Sequence, residues 1–135
     1  MHRFAIAYGA SAVVLLALDA VWLGFATRLL YRPQLGALLL EDPKLTIAAL
    51  FYLVYVVGIV VFAVLPGAEA RSLPMALGLG ALLGLVAYGT YDITNLATLK
   101  GWTVMVAVAD MAWGMVVSAL SATAGCLALR LFAPG

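Results

Sequence analysis

The chain has 135 residues, of which 67% are hydrophobic and 10% charged, with a formal net charge of +1 and a mean hydropathy of +1.17. Soluble domains carry about 25% charged residues, so a soluble fold is excluded. No basic cluster interrupts the apolar sequence, and nothing in it is suited to nucleic acid.

A helix needs about 20 apolar residues to cross a hydrocarbon core about 30 Å thick. Four runs reach that length: Ala5 to Leu30, Leu45 to Leu65, Met75 to Leu99 and Thr103 to Leu131. The expected fold class is all-α, an integral membrane bundle of four transmembrane helices forming a single domain over residues 1–135. The five prolines, Pro33, Pro43, Pro66, Pro74 and Pro134, fall between or after these runs. There a missing N–H and a fixed φ cost nothing.

The first run is longer than the apolar stretch of about 7–15 residues in a cleaved signal peptide, and it contains Asp19, so it reads as a permanent helix. His2, the single histidine, is an exposed flank. The connection from Arg28 to Lys44 holds Arg32-Pro33, then Leu35 to Leu40, then Glu41-Asp42-Pro43. Its apolar middle is expected to lie at the membrane interface, as a lid or as filler.

In the third run Gly78, Gly80, Gly84 and Gly89 leave a smooth strip, and Gly80 to Gly84 is a GxxxG match. Contact within the bundle is its bland use and a homodimer its sharper one. Tyr88, Tyr91, Asp92 and Asn95 recur at i, i+3, i+4 and i+7, with Thr98 following, and so form one polar face. Thr90 and Thr94 lie off that stripe, where their hydroxyls can bond back to helix carbonyls.

The Lys100-Gly101 turn is too short to do anything but set the third and fourth helices side by side and antiparallel. Snorkelling and an aromatic belt account for Lys100 and Trp102. Cys126 stands alone in the fourth run and can form neither an intramolecular disulfide nor a thiolate metal site; it reads as a small packing residue. No metal, haem or other cofactor is expected.

Charge inside a span is costly, so Asp19, Asp92 and Asp110 are the strongest signal in the sequence. At a rise of about 1.5 Å per residue they lie about 16, 10 and 12 Å from the Leu30, Leu99 and Trp102 ends of their helices, all on one side. The economical arrangement turns them towards a common interior cavity. Three carboxyls in one low-dielectric cavity cannot all ionise cheaply, so at least one should be neutral near pH 7. A D-x-x-W pattern occurs twice, as Asp19/Trp22 and Asp110/Trp113. On antiparallel helices each indole N–H then sits at the depth of the other helix's carboxylate and is expected to donate to it.

The bland reading makes these aspartates structural glue. The functional one makes Asp19, Trp22, Tyr88, Tyr91, Asp92, Asn95, Asp110 and Trp113 a ligand or proton site, with Asn95 near the mouth as a ligand contact. Orientation stays open, because Arg3, Arg71 and Arg130 on the side of the termini face Arg28, Arg32, Lys44 and Lys100 on the other. Such near-balance is also that of small dual-topology transporters.

The string Tyr88-Gly-Thr-Tyr-Asp-Ile-Thr-Asn-Leu-Ala-Thr-Leu-Lys-Gly-Trp102, with Asp110-Met-Ala-Trp-Gly114 after it and Leu18-Asp-Ala-Val-Trp-Leu-Gly24 before it, resembles the bacterial membrane family known as domain of unknown function 2177. The likeness covers almost the whole chain. It departs at Thr103, where the family pattern often has proline. The resemblance implies a small protein of the bacterial inner membrane and supplies no activity, substrate or catalytic residue.

Three functions compete. One is a small transporter, coupled through an aspartate that exchanges a proton, whose aromatic walls hold an apolar or cationic small molecule or a lipid; four helices enclose little volume, so it would work as a homodimer. The second is a membrane enzyme using Asp92 or Asp110 as acid or base on a lipid or isoprenoid, with Asn95 orienting the substrate. The third is an accessory subunit docked on a larger membrane complex by its glycine-rich face.

Overall fold

A computed structural model describes residues 2–40 and 44–134, so Glu41, Asp42 and Pro43 of the first connection lie outside the described residues. Among the described residues there are four long helices and no strand: α1 (His2–Leu38), α2 (Leu45–Glu69), α3 (Leu73–Thr98) and α4 (Val104–Phe132). Each is long and apolar enough to cross a membrane. The chain is an all-α membrane protein.

The helix starts follow from capping. The Ser72 side chain accepts from the Met75 N–H at 3.1 Å and Pro74 sits in the first turn, so α3 begins with one orphan donor satisfied and one removed. Thr103 does the same for α4, accepting from the Val106 N–H at 3.1 Å.

Three prolines do not fall between helices. Pro33 lies in the extension of α1, Pro66 in the last turns of α2 and Pro74 in the first turn of α3. Pro33 and Pro66 are tolerated because each follows a π turn, Thr27–Tyr31 and Val60–Val64. A proline in an α-helix collides with the carbonyl four residues back and lacks the N–H to bond it. The wider turn moves that carbonyl aside and lets the helix continue. As a result α1 runs on past Leu30 to Leu38, and Leu38 reaches the Gly101 turn, where a Cβ on Gly101 would meet its Cδ1 at 3.4 Å.

The fourth helix is the axis of the bundle and touches each of the other three. Its buried face is made of small residues, among them Gly114, Ser118, Ser121, Ala122 and Gly125. Such a face lets backbones approach where lipid offers no hydrophobic drive between helices. Gly80 of α3 lies against it so closely that an added Cβ would come within 2.7 Å of the Ser118 carbonyl oxygen, and Gly84 meets the Gly114 carbonyl closer still. The GxxxG pair is used inside the bundle. On the other flank Ser11 of α1 donates to the Ser121 carbonyl at 3.0 Å.

The core is concentrated at the end that holds the termini, around Ala7, Leu15, Val60, Val64, Ala76, Ala122 and Leu129. Towards the opposite end α2 leaves the bundle: every residue from Lys44 to Phe51 is exposed, and the first buried one is Val56. A lateral gap between α2 and α3 results.

Gly84→Ala should destabilise the protein by about 1–3 kcal/mol, since the new methyl meets backbone that cannot rotate away. Gly78→Ala, with nothing within 4 Å of its Cβ, should be neutral. Reversible unfolding in mixed micelles distinguishes them, and equal effects would refute the close α3–α4 contact.

Candidate functional site

Asp19 of α1 is buried, and its carboxylate accepts the Trp113 Nε1–H of α4 at 3.0 Å and the Tyr52 hydroxyl of α2. One side chain thereby joins three helices. Asp110 of α4 accepts the Tyr31 hydroxyl at 2.5 Å, and the Tyr31 oxygen in turn accepts the Trp22 Nε1–H at 2.9 Å. Between the two carboxylates the indoles of Trp22 and Trp113 stack, with centroids 4.7 Å apart and planes 5° from parallel.

Of the two indole–carboxylate bonds expected between α1 and α4, then, one is direct and the other is relayed. The relay follows from the π turn. Tyr31 lies nine residues past Trp22, about two and a half turns of an unbroken α-helix and hence on its opposite face. The extra residue of the Thr27–Tyr31 turn rotates it back towards Trp22 and Asp110.

Asp92 of α3 is fully buried, and among the described residues neither of its carboxyl oxygens meets a donor. The contacts of Gly80 with Ala122 and of Tyr88 with Gly114 set the register of α3 on α4, and that register brings Asp92 opposite Asp110.

The Tyr88 ring of α3 lies over Gly114, where any side chain on α4 would strike it. It meets Tyr55 of α2 edge to face at 6.2 Å, and the Tyr55 hydroxyl is 2.7 Å from Ser118 Oγ. Together Phe51, Tyr52, Tyr55, Ala87, Tyr88 and Asp110 line a cavity of about 260 Å³ in the gap between α2 and α3. Four aromatic rings and one carboxylate suit a ligand with an apolar body and a cationic or hydrogen-bond-donating head.

The polar stripe of α3 divides. Tyr88 and Asp92 turn into the bundle, but Tyr91 is 55% exposed and stands edge-on to Trp102 at 5.6 Å. Asn95 is half-buried beside Tyr91 and does not line the cavity. Thr98 is exposed and donates back to the Thr94 carbonyl at 2.8 Å, as Thr90 does to Val86 at 2.6 Å. Asp92 and Tyr91 are adjacent, so about 100° separates them around the axis, too much for one contact with α4 to cover.

Tyr31, Tyr52, Tyr55 and Phe51 escape sequence reasoning. The signal for Tyr52 and Tyr55 is their position: tyrosines of an aromatic belt sit at span ends, whereas these lie at i and i+3 inside the most hydrophobic span, where each hydroxyl needs a partner. Tyr31 carries no such signal, since it stands between Arg28 and Arg32 in a segment that reads as a loop.

Tyr31→Phe should cost more than Tyr52→Phe. The first leaves the Trp22 N–H without a partner, at about 1–3 kcal/mol, and also takes the phenol donor from Asp110; the second leaves Asp19 its Trp113 bond and costs about 0.5–1.5 kcal/mol. Unfolding midpoints in mixed micelles check the order, and a larger loss at Tyr52 would refute the relay.

Comparison with curated proteins and with solved structures gives no match. A family model described as predicted membrane protein (DUF2177) matches residues 4–127, which takes in every residue of the hydrogen-bonded network. By that match the chain belongs to the family of predicted membrane proteins designated domain of unknown function 2177.

Proposed function

We propose that this protein is a transporter-like, ligand-binding bundle of the bacterial inner membrane, which takes a small amphiphile from the bilayer through the gap between α2 and α3. The observation that carries this reading is the Asp110 carboxylate in the lining of an aromatic cavity between α2 and α3. The ligand's cationic or donor head sits among Tyr52, Tyr55 and Tyr88 and its apolar body lies along Phe51 and Ala87. Behind the site, Asp92 supplies a second, buried carboxyl opposite Asp110, and in this reading the two share one proton, since both cannot ionise cheaply in a low-dielectric interior. Loss of that proton strengthens the hold on a cation and its return weakens it, which is the antagonism an ion-coupled carrier needs. A homodimer would enclose the volume that four helices lack.

The facing carboxyls also favour a second reading, acid–base catalysis on a bilayer lipid or isoprenoid, in which Asp92 and Asp110 exchange the proton with substrate. Altered lipid after incubation of vesicles with the protein would favour that chemistry over carriage.

The probe is octyltrimethylammonium, with uncharged 1-octanol as a control of equal tail, titrated into the full chain in neutral detergent and followed by Tm. The cation should raise Tm and the alcohol should not. Asp110→Asn should weaken the cation about 10–100-fold, as expected for loss of one charged contact. Ala87→Leu, which fills the cavity without touching a carboxyl, should weaken it as well. Cation affinity should rise from mildly acidic to mildly alkaline buffer, and Asp92→Asn should flatten that dependence. An equal response to 1-octanol, or undiminished binding to Asp110→Asn, would overturn the reading.

A further inference from the structure

At the other end of the bundle lies a larger cavity of about 410 Å³, remote from the carboxylates. Its rim carries three arginines from three parts of the chain: Arg3 from the first turn of α1, Arg71 from the turn between α2 and α3, and Arg130 from the last turn of α4. Its floor is apolar, formed by Cys126 and Leu129, and no carboxylate is among the described residues that line it. Glu69, two residues before Arg71, is exposed and is not part of the lining.

Arg71 is placed there against a backbone preference. The turn closes α2 with the Ser72 N–H on the Gly67 carbonyl at 2.9 Å and the Arg71 N–H on the Ala68 carbonyl at 3.1 Å. This pair of bonds forces the residue at Arg71 into the left-handed region, and its φ is +52°. Glycine usually fills such a left-handed cap, because a Cβ there strains the chain. An arginine at a strained position, in the lining of a cavity that two others share, points to a use for its charge.

Arg3 donates to the Ala133 carbonyl, which holds it at the opening, and three like charges around one opening favour an anion between them. Guanidinium is planar and offers forked donors matched to phosphate oxygens. The span ends place the rim at the membrane interface, where basic pockets between helices take phosphate head groups, and the cavity lies within the roughly 300–1,000 Å³ typical of small-molecule sites.

We propose that Arg3, Arg71 and Arg130 form a phosphate-binding site at the membrane interface, which holds the head of an anionic phospholipid while the apolar floor meets the first methylenes of its acyl chains. This site is independent of the amphiphile cavity and stands or falls without it.

The test titrates the full chain in neutral detergent micelles with dihexanoyl phosphatidylglycerol, with dihexanoyl phosphatidylcholine or with inorganic phosphate, and reads Tm. Phosphatidylglycerol should raise Tm and phosphatidylcholine should not. A response to inorganic phosphate as strong as to phosphatidylglycerol would assign the same site to a free anion. Each arginine removed should weaken binding about fivefold, the equivalent of about 1 kcal/mol per basic residue near a membrane surface. Arg71→Gly separates charge from folding, since it relieves the strained turn: its Tm without added anion should rise while its response to phosphatidylglycerol falls. Equal shifts with phosphatidylcholine and phosphatidylglycerol, no response to either anion, or a full response in Arg71→Gly would each overturn the proposal.

Discussion

A carboxylate within a bilayer finds no water, so its hydrogen-bond donors must come from other helices of the same bundle. Asp19 shows how much geometry this one demand fixes. Its two donors, Trp113 and Tyr52, belong to α4 and α2, so meeting them sets the depth and rotation of three helices at once. Trp22 and Trp113 can stack face to face because both indoles have already been drawn in by polar partners, Trp22 by Tyr31 and Trp113 by Asp19. The Asp110 end of the network then places a second carboxyl opposite Asp92.

The two ends of the bundle divide the work. Near the termini, small residues on α4 let α1, α2 and α3 approach closely, and most of the buried apolar residues lie there. Near the Lys100 turn, contact is polar and aromatic, and α2 stands away from its neighbours. Close helix contact at one end allows the other end to stay open without loss of the fold, because each half is held by a different kind of interaction.

The four spans, the antiparallel α3–α4 pair and the internal use of Gly80 and Gly84 were legible in the sequence, since hydropathy, turn length and small-residue spacing each reflect a local rule. So was the meeting of Asp19 with Trp113, which needed only helix rise and antiparallel direction. Tyr31 was not legible, because its approach to Trp22 depends on a π turn that adds a residue to the helix without leaving a mark in its composition. The same rule of regular α-geometry misplaced Pro33 and Pro66 between helices. For Tyr91 the fault lay in treating a helical stripe as wholly buried, when its width exceeds the strip that one neighbouring helix covers.

The cavity of Phe51, Tyr52, Tyr55, Ala87, Tyr88 and Asp110 lies between two membrane-spanning helices. In the proposed reading a molecule would enter it from the bilayer, where each buried methylene contributes about 0.8 kcal/mol to partitioning. Occupancy would then be governed by the mole fraction of the molecule among the lipids and not by its aqueous concentration. Two ligands of equal fit but unequal chain length would fill the site to different extents at the same dose in water, and diluting the protein with lipid would empty it even at constant total ligand.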